Sequence, residues 1–361
     1  MGVRALAKIC RLGERTLANR LRGLPVFMHV APTRACNLRC GYCFQCTRVS
    51  SMMTRDTFLG VLGAARRFNL GVLSFTGGEP LLWEQIDWAV SEASRAGLVV
   101  GITTNGTLLD RARVIALARS GLDQLIVSID GVESLEQSEK TLGANPHVLE
   151  SMRLARSLGV LVSANCVLGP YNSSGIGSLL RVLGSQHFAL SIGFLDSGLV
   201  GQVCAAAEQA MGFRLPRDRA LLDAAVGEIL RLKRRGSLVV EPDRYFQGYA
   251  EHLVHQSTLS WVCAESKRHS LQVSPEGNLY LCTRRGELPG PIRLADLSLT
   301  SLREALRSVE RYSMECNATC YCNCSYSNYY YRRHPAEFVS SVGVRVLASH
   351  IRGRRQFRIT S

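Results

Sequence analysis

The strongest constraint on the fold is a regular alternation of short apolar runs and longer amphipathic stretches between residues 26 and 195. Apolar, β-branched runs predict six strands, at 26–30, 72–75, 99–103, 124–128, 160–167 and 190–195. Helical periodicity predicts helices at 55–68, 84–96, 108–120, 146–158 and 178–183. Strands that are nearly all apolar and separated by helices form parallel sheets whose outer face the helices cover. The sequence therefore predicts an α/β fold, a partial (β/α)6 barrel.

This alternation ends near residue 196. Beyond it, residues 218–235 predict a helix with a basic end, and residues 263–324 contain six cysteines. A chain of 361 residues exceeds the usual size of one domain, so a second, smaller domain is expected. The thirteen cysteines cluster in short-spaced groups without a signal-peptide pattern, which indicates metal ligation in a reducing cytosol. No apolar run is long enough to predict a membrane-spanning helix.

Three of the cysteines lie in one loop directly after the first predicted strand. Cys36, Cys40 and Cys43 have the spacing C-x3-C-x2-C. Three thiolates this close together can bind three irons of a cubic iron–sulfur cluster and leave the fourth iron open. The alternative is a zinc site completed by a distant fourth residue.

The loops after the next three strands are also polar. They read Thr76-Gly77-Gly78-Glu79-Pro80, Thr103-Thr104-Asn105-Gly106-Thr107 and Ser128-Ile129-Asp130-Gly131. In parallel barrels the reactive groups gather in the loops after the strands. Glycines let the backbone approach a ligand closely, and a carboxylate can accept a hydrogen bond from a cationic amine. Taken alone, the Gly-Gly-Glu-Pro turn is also compatible with a tight strand-to-helix connection.

Taken together and in this order, the four loops resemble those of the radical S-adenosylmethionine (SAM) enzymes, closely over 26–196 and moderately over 262–324. The resemblance implies that Cys36, Cys40 and Cys43 ligate a [4Fe–4S] cluster whose open iron is chelated by the amino and carboxylate groups of SAM. It implies that Gly77, Gly78, Glu79 and Pro80 hold the methionine amino group, that Tyr42 lies beside the adenine, and that the ribose and carboxylate lie near Thr104, Asn105, Ser128 and Asp130.

The activity implied by this resemblance is radical chemistry. A reductant such as flavodoxin or ferredoxin would reduce the cluster by one electron. SAM would then be cleaved to methionine and a 5′-deoxyadenosyl radical, which abstracts hydrogen from an unactivated C–H bond. The protein would position that bond and exclude water. We therefore expect an enzyme of the oxidoreductase or transferase type.

The second group of cysteines resembles the auxiliary-cluster domains called SPASM and twitch. Cys263 and Cys282 frame Gly277 in the pattern C-x13-G-x4-C, and four more follow, at Cys316, Cys320, Cys322 and Cys324. We expect one auxiliary [4Fe–4S] cluster, ligated by Cys263, Cys282 and two of the last four, which would assist oxidation or bind the substrate. The alternative is that this domain binds two auxiliary clusters. A four-cysteine zinc ribbon fits these spacings poorly.

The resulting organisation has five parts. We expect a basic amphipathic helix at 1–25, a radical SAM partial (β/α)6 TIM-like barrel at 26–200, a helical linker at 201–261, a small C-terminal cysteine-rich α+β auxiliary-cluster domain at 262–326, and a basic extension at 327–361. Asp196, after the sixth strand, is a candidate catalytic base or substrate contact. A capping or solvated role for Asp196 stays open.

The net charge of +14 is concentrated at the two ends of the chain. Residues 1–23 carry +5 and residues 332–361 carry +6. Arg4, Lys8, Arg11, Arg15 and Arg22 form one helical stripe. Such basic helices suit an anionic membrane surface or a phosphate-rich partner, although a helix that caps the barrel explains the stripe equally well. We expect a cytoplasmic protein with peripheral contact at the inner face of the membrane. Nucleic acid is disfavoured because no basic patch interleaved with aromatic residues is present.

Several substrate classes compete at this point. A small molecule fits a compact auxiliary domain, and a lipid-linked substrate fits the basic ends. The alternative is a peptide maturase that forms a cross-link or thioether, for which the 25 residues before the first strand are too few to form a leader-binding module. A non-enzymatic electron carrier is a further alternative. It is disfavoured because a carrier needs no cofactor pocket.

Overall fold

The fold is known from a computed structural model that describes residues 3–43, 51–195, 215, 217–255, 260–267, 269–282, 286–287, 291–315, 323–337 and 350. Predictions for residues outside these ranges, including Asp196, Cys316, Cys320 and Cys322, lie beyond the described residues.

The barrel is an α/β structure in which the predicted alternation is confirmed. Its strands are β1 (Phe27–Val30), β2 (Val72–Phe75), β3 (Val99–Thr104), β4 (Gln124–Ser128), β5 (Leu161–Leu168) and β6 (Ala189–Phe194). The helices between them are α2 (Arg55–Arg67), α3 (Ile86–Arg95), α4 (Arg111–Ser120), α5 (Val148–Ser157) and α6 (Ile176–Ser185), and α1 (Val3–Arg22) precedes β1. Short 3₁₀ turns lie at Pro80–Leu82, Ser173–Gly175 and Leu294–Asp296.

Side-chain alternation along the strands gives the sheet two different faces. Met28, Val30, Leu73 and Phe75 are completely buried and belong to the same core as the apolar residues of the helices, such as Phe58. The strand residues between them are mostly half-buried and face away from the helices. In the described residues, the helices between the strands therefore cover the outer face of the sheet, as expected for a partial barrel.

A seventh strand, β7 (Ser270–Val273), completes the sheet, whose order is β6-β5-β4-β3-β2-β1-β7. It pairs in parallel with β1, placing Gln272 opposite His29. The sequence predicted six strands and placed the four residues of β7 in the cysteine-rich domain at 262–326. A hairpin follows β7, because Val273 pairs with Leu279 across a turn in which Gly277 has a φ of 84°. Its first strand nevertheless belongs to the barrel sheet.

Helix α1 packs against the barrel through its polar stripe. The Nζ of Lys8 lies 2.5 Å from Asp123 Oδ2 and donates to Ser94 Oγ at 3.0 Å. Arg15 donates to the carbonyl oxygens of Leu70 (2.8 Å) and Ala96 (3.4 Å). Ala96 is the C-cap of α3, where the negative end of the helix dipole favours a cation. Lys8 and Arg15 therefore cap the barrel, while contact of α1 with a membrane stays a prediction.

The remaining elements follow β6. They are α7 (Arg219–Arg234), α8 (Asp243–His255), α9 (Ser260–Lys267), β8 (Tyr280–Cys282), β9 (Gly286–Glu287), α10 (Leu299–Met314), α11 (Asn323–Arg333) and α12 (Pro335–Glu337). Helix α9 packs against α10 and α11. The hydroxyl group of Tyr331 in α11 donates to the carbonyl oxygen of Val240 at 2.7 Å. Among the described helices, none has the length and hydropathy of a membrane span.

Candidate active site

The cysteine loop begins at the carboxyl end of β1. Cys36, Cys40 and Cys43 are all half-buried and free of disulfide bonds. The N–H of Cys43 donates to the carbonyl oxygen of Cys40 at 3.0 Å, and the N–H of Leu38 points at Cys36 Sγ at 3.5 Å. Burial raises the pKa of the Cys36 thiol, and the nearby charges of Glu79 and Cys43 act in the same direction. The loop therefore presents three thiols at the barrel mouth.

Gly77 and Gly78 are needed because the segment before Cys36 crosses directly over them. The N–H of Gly78 donates to Thr33 O at 3.0 Å, and the N–H of Glu79 donates to Ala35 O at 2.7 Å. A Cβ at residue 78 would lie 2.0 Å from Ala35 O, and one at Gly77, whose φ is +112°, would lie 2.7 Å from Thr33 O. The sequence predicted that these glycines admit a ligand. The close approach that the structure shows is with the chain that carries the cysteines.

Glu79 is completely buried, and its carboxylate joins the ends of two strands. Oε1 accepts from Leu81 N (3.1 Å) and Thr104 Oγ1 (2.7 Å), and Oε2 accepts from Asn105 N (2.8 Å). Burial raises the pKa of Glu79, although these three donors partly offset the effect. Three hydrogen bonds occupy most of the capacity of a carboxylate. The predicted contact of Glu79 with a ligand amine stays a prediction, and the role visible in the structure is to hold the β2 and β3 loops together.

Asn105 connects the β3 loop to the cysteine loop. Its Nδ2 donates to Asn37 Oδ1 at 2.9 Å and lies 3.8 Å from Cys36 Sγ. Asn37 in turn donates to Thr107 Oγ1 at 2.7 Å. Sequence reasoning assigned no role to Asn37. Its position directly after Cys36 was the available signal.

A polar cluster at the end of β4 is built around Asp130, whose side chain is fully buried. Its carboxylate accepts from the hydroxyl group of Tyr42, from Ser138 Oγ (2.7 Å) and from Val167 N (2.9 Å). Lys140 Nζ lies 3.5 Å from Asp130 Oδ2. Both carboxylate oxygens thus have protein donors, so Asp130, like Glu79, holds the loops in place.

Tyr42 lies between two other side chains of this cluster. Its ring stacks on Tyr171 with centroids 5.6 Å apart, and Lys140 Nζ lies 4.8 Å from its ring centroid. Burial lowers the pKa of Lys140, but attraction to Asp130, Cys40 and Cys43 outweighs it and raises the pKa overall. Lys140 and Tyr171 were missed by the sequence reasoning because neither belongs to a spaced motif. The residue type was the available signal for Lys140, because only four of the 43 basic residues are lysine.

The inner face of the sheet is polar but uncharged. Gln272, His29 and Ser74 form one register row across β7, β1 and β2. Half-buried polar side chains continue along this face at Thr103, Ser128, Ser163, Asn165 and Ser191. None of the seven strands contains a charged residue. The strands themselves thus offer polar side chains without Asp, Glu, Lys or Arg, and Ser191 Oγ donates to the buried Glu241 Oε1 at 2.6 Å.

The second group of cysteines is described only in part. Cys263 lies half-buried in α9, Cys282 ends β8, and Cys324 lies in α11. Helices α9 and α11 pack together, and Glu265 Oε2 of α9 lies 3.1 Å from the Nη2 of Arg333 in α11. The helices that carry Cys263 and Cys324 are therefore neighbours, while the side chains of Cys282 and Cys324 lie outside the description.

Residues 30–183 match the family model of the radical SAM superfamily. These residues form a radical SAM domain. Members of this superfamily are enzymes, and a [4Fe–4S] cluster and SAM are their characteristic cofactors. The matched range contains the cysteine loop and the β2, β3 and β4 loops.

Similar proteins have different substrates. A GTP 3′,8-cyclase of Mycobacterium marinum is 32% identical over 192 residues, 50% of this chain and 53% of the relative. A PqqA peptide cyclase of Streptomyces rochei is 28% identical over 183 residues, 48% of this chain and 50% of the relative. The chain thus spans about half the length of these curated relatives. The crystal structure of Streptococcus suis SuiB bound to its precursor peptide SuiA superposes with a TM-score of 0.60 at 16% identity, covering 80% of this chain and 67% of SuiB.

The cysteine loop has the ligands that a cubic iron–sulfur cluster needs. Within the described ranges, no three His, Cys, Asp or Glu side chains meet closely enough to bind one ion. A cubic cluster makes a different demand because each thiolate binds its own iron. Three thiols that form no disulfide bond, on one loop at the mouth of a parallel barrel, supply the ligands for three irons. These residues therefore fit the cofactor that is characteristic of the family.

Proposed function

We propose that this protein is a radical SAM enzyme that abstracts hydrogen from a C–H bond of a peptide substrate lying along the polar inner face of the barrel. When bound, the cluster and SAM would supply the reductive cleavage that generates the radical, with the electron provided by a flavodoxin or ferredoxin. Cys36, Cys40 and Cys43 would hold the cluster. The observation that carries the proposal is the position of this loop, bonded to the β2, β3 and β4 loops at the edge of an uncharged polar sheet.

The protein's own residues would position the cofactors through two buried carboxylates. Glu79 ties the β2 loop to the β3 loop, and the segment it belongs to supports the cysteine loop through Ala35 O. Asp130 holds Tyr42, which lies between Cys40 and Cys43. Because both carboxylates are buried and hydrogen-bonded, the loops keep one arrangement before any ligand binds, and less ordering is required on binding.

The inner face favours a peptide over the other substrate classes. Amide and hydroxyl side chains such as Asn165, Gln272 and Ser128 donate and accept hydrogen bonds, which suits the N–H and C=O groups of a peptide. A lipid chain would leave these groups unpaired, at a cost. A nucleoside triphosphate would need several arginine or lysine side chains. The seven strands contain neither, and Lys140 at the end of β4 is already paired with Asp130. Similarity to a PqqA peptide cyclase and to a peptide-bound SuiB supports this choice.

An auxiliary [4Fe–4S] cluster would be ligated by Cys263, Cys282 and two of the four cysteines between 316 and 324. The packing of α9 against α11 supports this proposal because it brings the helices of Cys263 and Cys324 together. The cluster would accept an electron from the substrate radical or bind the substrate directly.

The test has two stages. Anaerobically reconstituted protein is incubated with SAM and dithionite, and 5′-deoxyadenosine is measured; a variant with Cys36, Cys40 and Cys43 all changed to Ala is the control. The protein is then co-expressed with short peptides encoded beside its gene, and the peptides are analysed by mass spectrometry. We expect a mass change that the triple variant does not produce. Stimulation of 5′-deoxyadenosine formation by GTP, with every peptide unmodified, would contradict the substrate class.

A further inference from the structure

A second segment, residues 137–140, is bonded to the cysteine loop although almost a hundred residues separate the two in sequence. The N–H of Gly41 donates to Gln137 O at 3.0 Å, and the N–H of Arg39 donates to Glu139 Oε1 at 2.5 Å. Cys40 Sγ lies 3.8 Å from Ser138 Oγ. The loop that carries the thiols therefore packs against residues 137–140 as well as against the β2 and β3 loops.

This segment is itself fixed to the end of β4. The N–H of Asp130 donates to Lys140 O at 2.7 Å, and Gly131 pairs with Thr141 in a parallel bridge. The Nδ2 of Asn145 donates to Glu139 O at 2.8 Å. The backbone on both sides of Lys140 is therefore fixed by hydrogen bonds, which restricts where its side chain can lie.

The ammonium group of Lys140 is held in one place against Tyr42 of the cysteine loop. Its side chain is only 15% exposed, with Nζ 3.5 Å from Asp130 Oδ2 and 4.8 Å from the ring centroid of Tyr42. Tyr42 directly precedes Cys43 and is separated from Cys40 by Gly41 alone. A charge in a poorly solvated place acts more strongly on its neighbours than one in water. Lys140 therefore places a cation, paired with Asp130, against the loop predicted to hold the cluster.

We propose that Lys140 stabilises the reduced state of the cluster held by Cys36, Cys40 and Cys43, and so raises its reduction potential. Net charge near an iron–sulfur cluster is one of the factors that set this potential. When a cluster is bound, one electron from an external low-potential donor would add one negative charge to it. Lys140 transfers no electron and no proton, but lowers the energy of the added charge. The inference rests on the cluster site of the proposed function.

The test is a reductive titration followed by electron paramagnetic resonance, with mediator dyes and without SAM or substrate. In Lys140→Met we expect the ratio of reduced to oxidised cluster at a fixed potential to fall about tenfold, which corresponds to a midpoint about 59 mV lower for a one-electron couple. Lys140→Arg should restore the wild-type midpoint. Arg119→Met removes one exposed charge at the far end of α4 and should leave the midpoint unchanged.

The outcomes separate this proposal from the one before it. A wild-type protein that holds no cluster would contradict the proposed function itself. Wild-type and Lys140→Met proteins with equal iron content and equal midpoints would overturn only the role of Lys140. Lys140→Gln is the second variant, because it keeps a polar side chain of similar length. Loss of the cluster from both the Met and the Gln variants would also overturn the proposal, since Lys140 would then be needed to build the loop.

Discussion

The clearest consequence of the structure concerns Glu79, whose buried carboxylate accepts three hydrogen bonds. In Glu79→Ala the donors lose their acceptor. The hydroxyl group of Thr104 can rotate, but the N–H groups of Leu81 and Asn105 cannot. Each buried donor left unpaired costs about 1–3 kcal/mol, so we expect the variant to lose about 2–6 kcal/mol of stability. Glu79→Gln keeps one acceptor oxygen and should lose about 1–3 kcal/mol.

The assay is urea unfolding of the anaerobically reconstituted proteins, followed by tryptophan fluorescence. Glu84→Ala is the matched control, because Glu84 is exposed and lies five residues further along the chain. Exposed substitutions of this kind change stability by about 0.5 kcal/mol or less. The order of stability should be wild type, then Glu79→Gln, then Glu79→Ala.

The stability difference should also depend on pH. Burial raises the pKa of Glu79 above the ordinary value of 4.5, so the folded protein binds a proton more tightly than the unfolded chain does. Glu79 therefore makes its full contribution to the free energy of unfolding below about pH 4.5. This contribution declines as the pH rises through the raised pKa. Glu79→Gln has no such titration. The difference in the free energy of unfolding between the wild type and Glu79→Gln should therefore narrow as the pH rises through the raised pKa of Glu79.

The same variants distinguish support of the loops from direct contact with SAM. If Glu79 mainly holds the loops, affinity for SAM should fall in step with stability, most in the Ala variant. A Glu79→Ala protein that keeps full stability yet loses affinity for SAM would refute this reasoning, because the carboxylate would then meet the ligand rather than the three donors.

Three further predictions test other parts of the account. Gly78→Ala should reduce iron retention because its Cβ would lie 2.0 Å from Ala35 O, whereas Gly63→Ala, which meets nothing within 4 Å, should keep full iron content. Lys8→Ala should cost about 3 kcal/mol in urea unfolding by breaking a mostly buried ion pair, and exposed Arg20→Ala should cost about 0.5 kcal/mol or less. The Cys263→Ala variant should contain about four irons fewer than the wild type. It should form no product but should still form 5′-deoxyadenosine. An unchanged iron content would exclude Cys263 as a ligand.

The barrel was predictable from sequence because local patterns determine it. Each of the strands β1 to β6 is an apolar run, and each connecting helix has its own periodicity. Strand β7 was assigned elsewhere for a physical reason. Its four residues precede a turn and a return strand, which indicates a hairpin, and its parallel partner β1 lies more than two hundred residues away. No local pattern reports a pairing between segments so far apart.

The site was predictable in its location but not in its contacts. Spacing identified the cysteine loop, and the ends of the strands identified Glu79 and Asp130. The sequence could not show whether these carboxylates face a ligand or the protein, because that depends on donors such as Asn105 N and Val167 N from other strands. Lys8 illustrates the same limit. The basic stripe that contains Lys8 was visible in the sequence. Such a stripe shows which residues share one face of a helix, but not what that face contacts.

The proposed function depends on a cluster held by Cys36, Cys40 and Cys43, with one iron open to SAM. The most direct measurement is the electron paramagnetic resonance spectrum of the dithionite-reduced protein, recorded with and without SAM, in the wild type and in the triple Ala variant. We predict a cluster signal that SAM alters in the wild type and a spectrum that SAM leaves unaltered in the triple variant. A wild-type signal that is identical with and without SAM, or one that survives the triple substitution and still responds to SAM, would contradict the account.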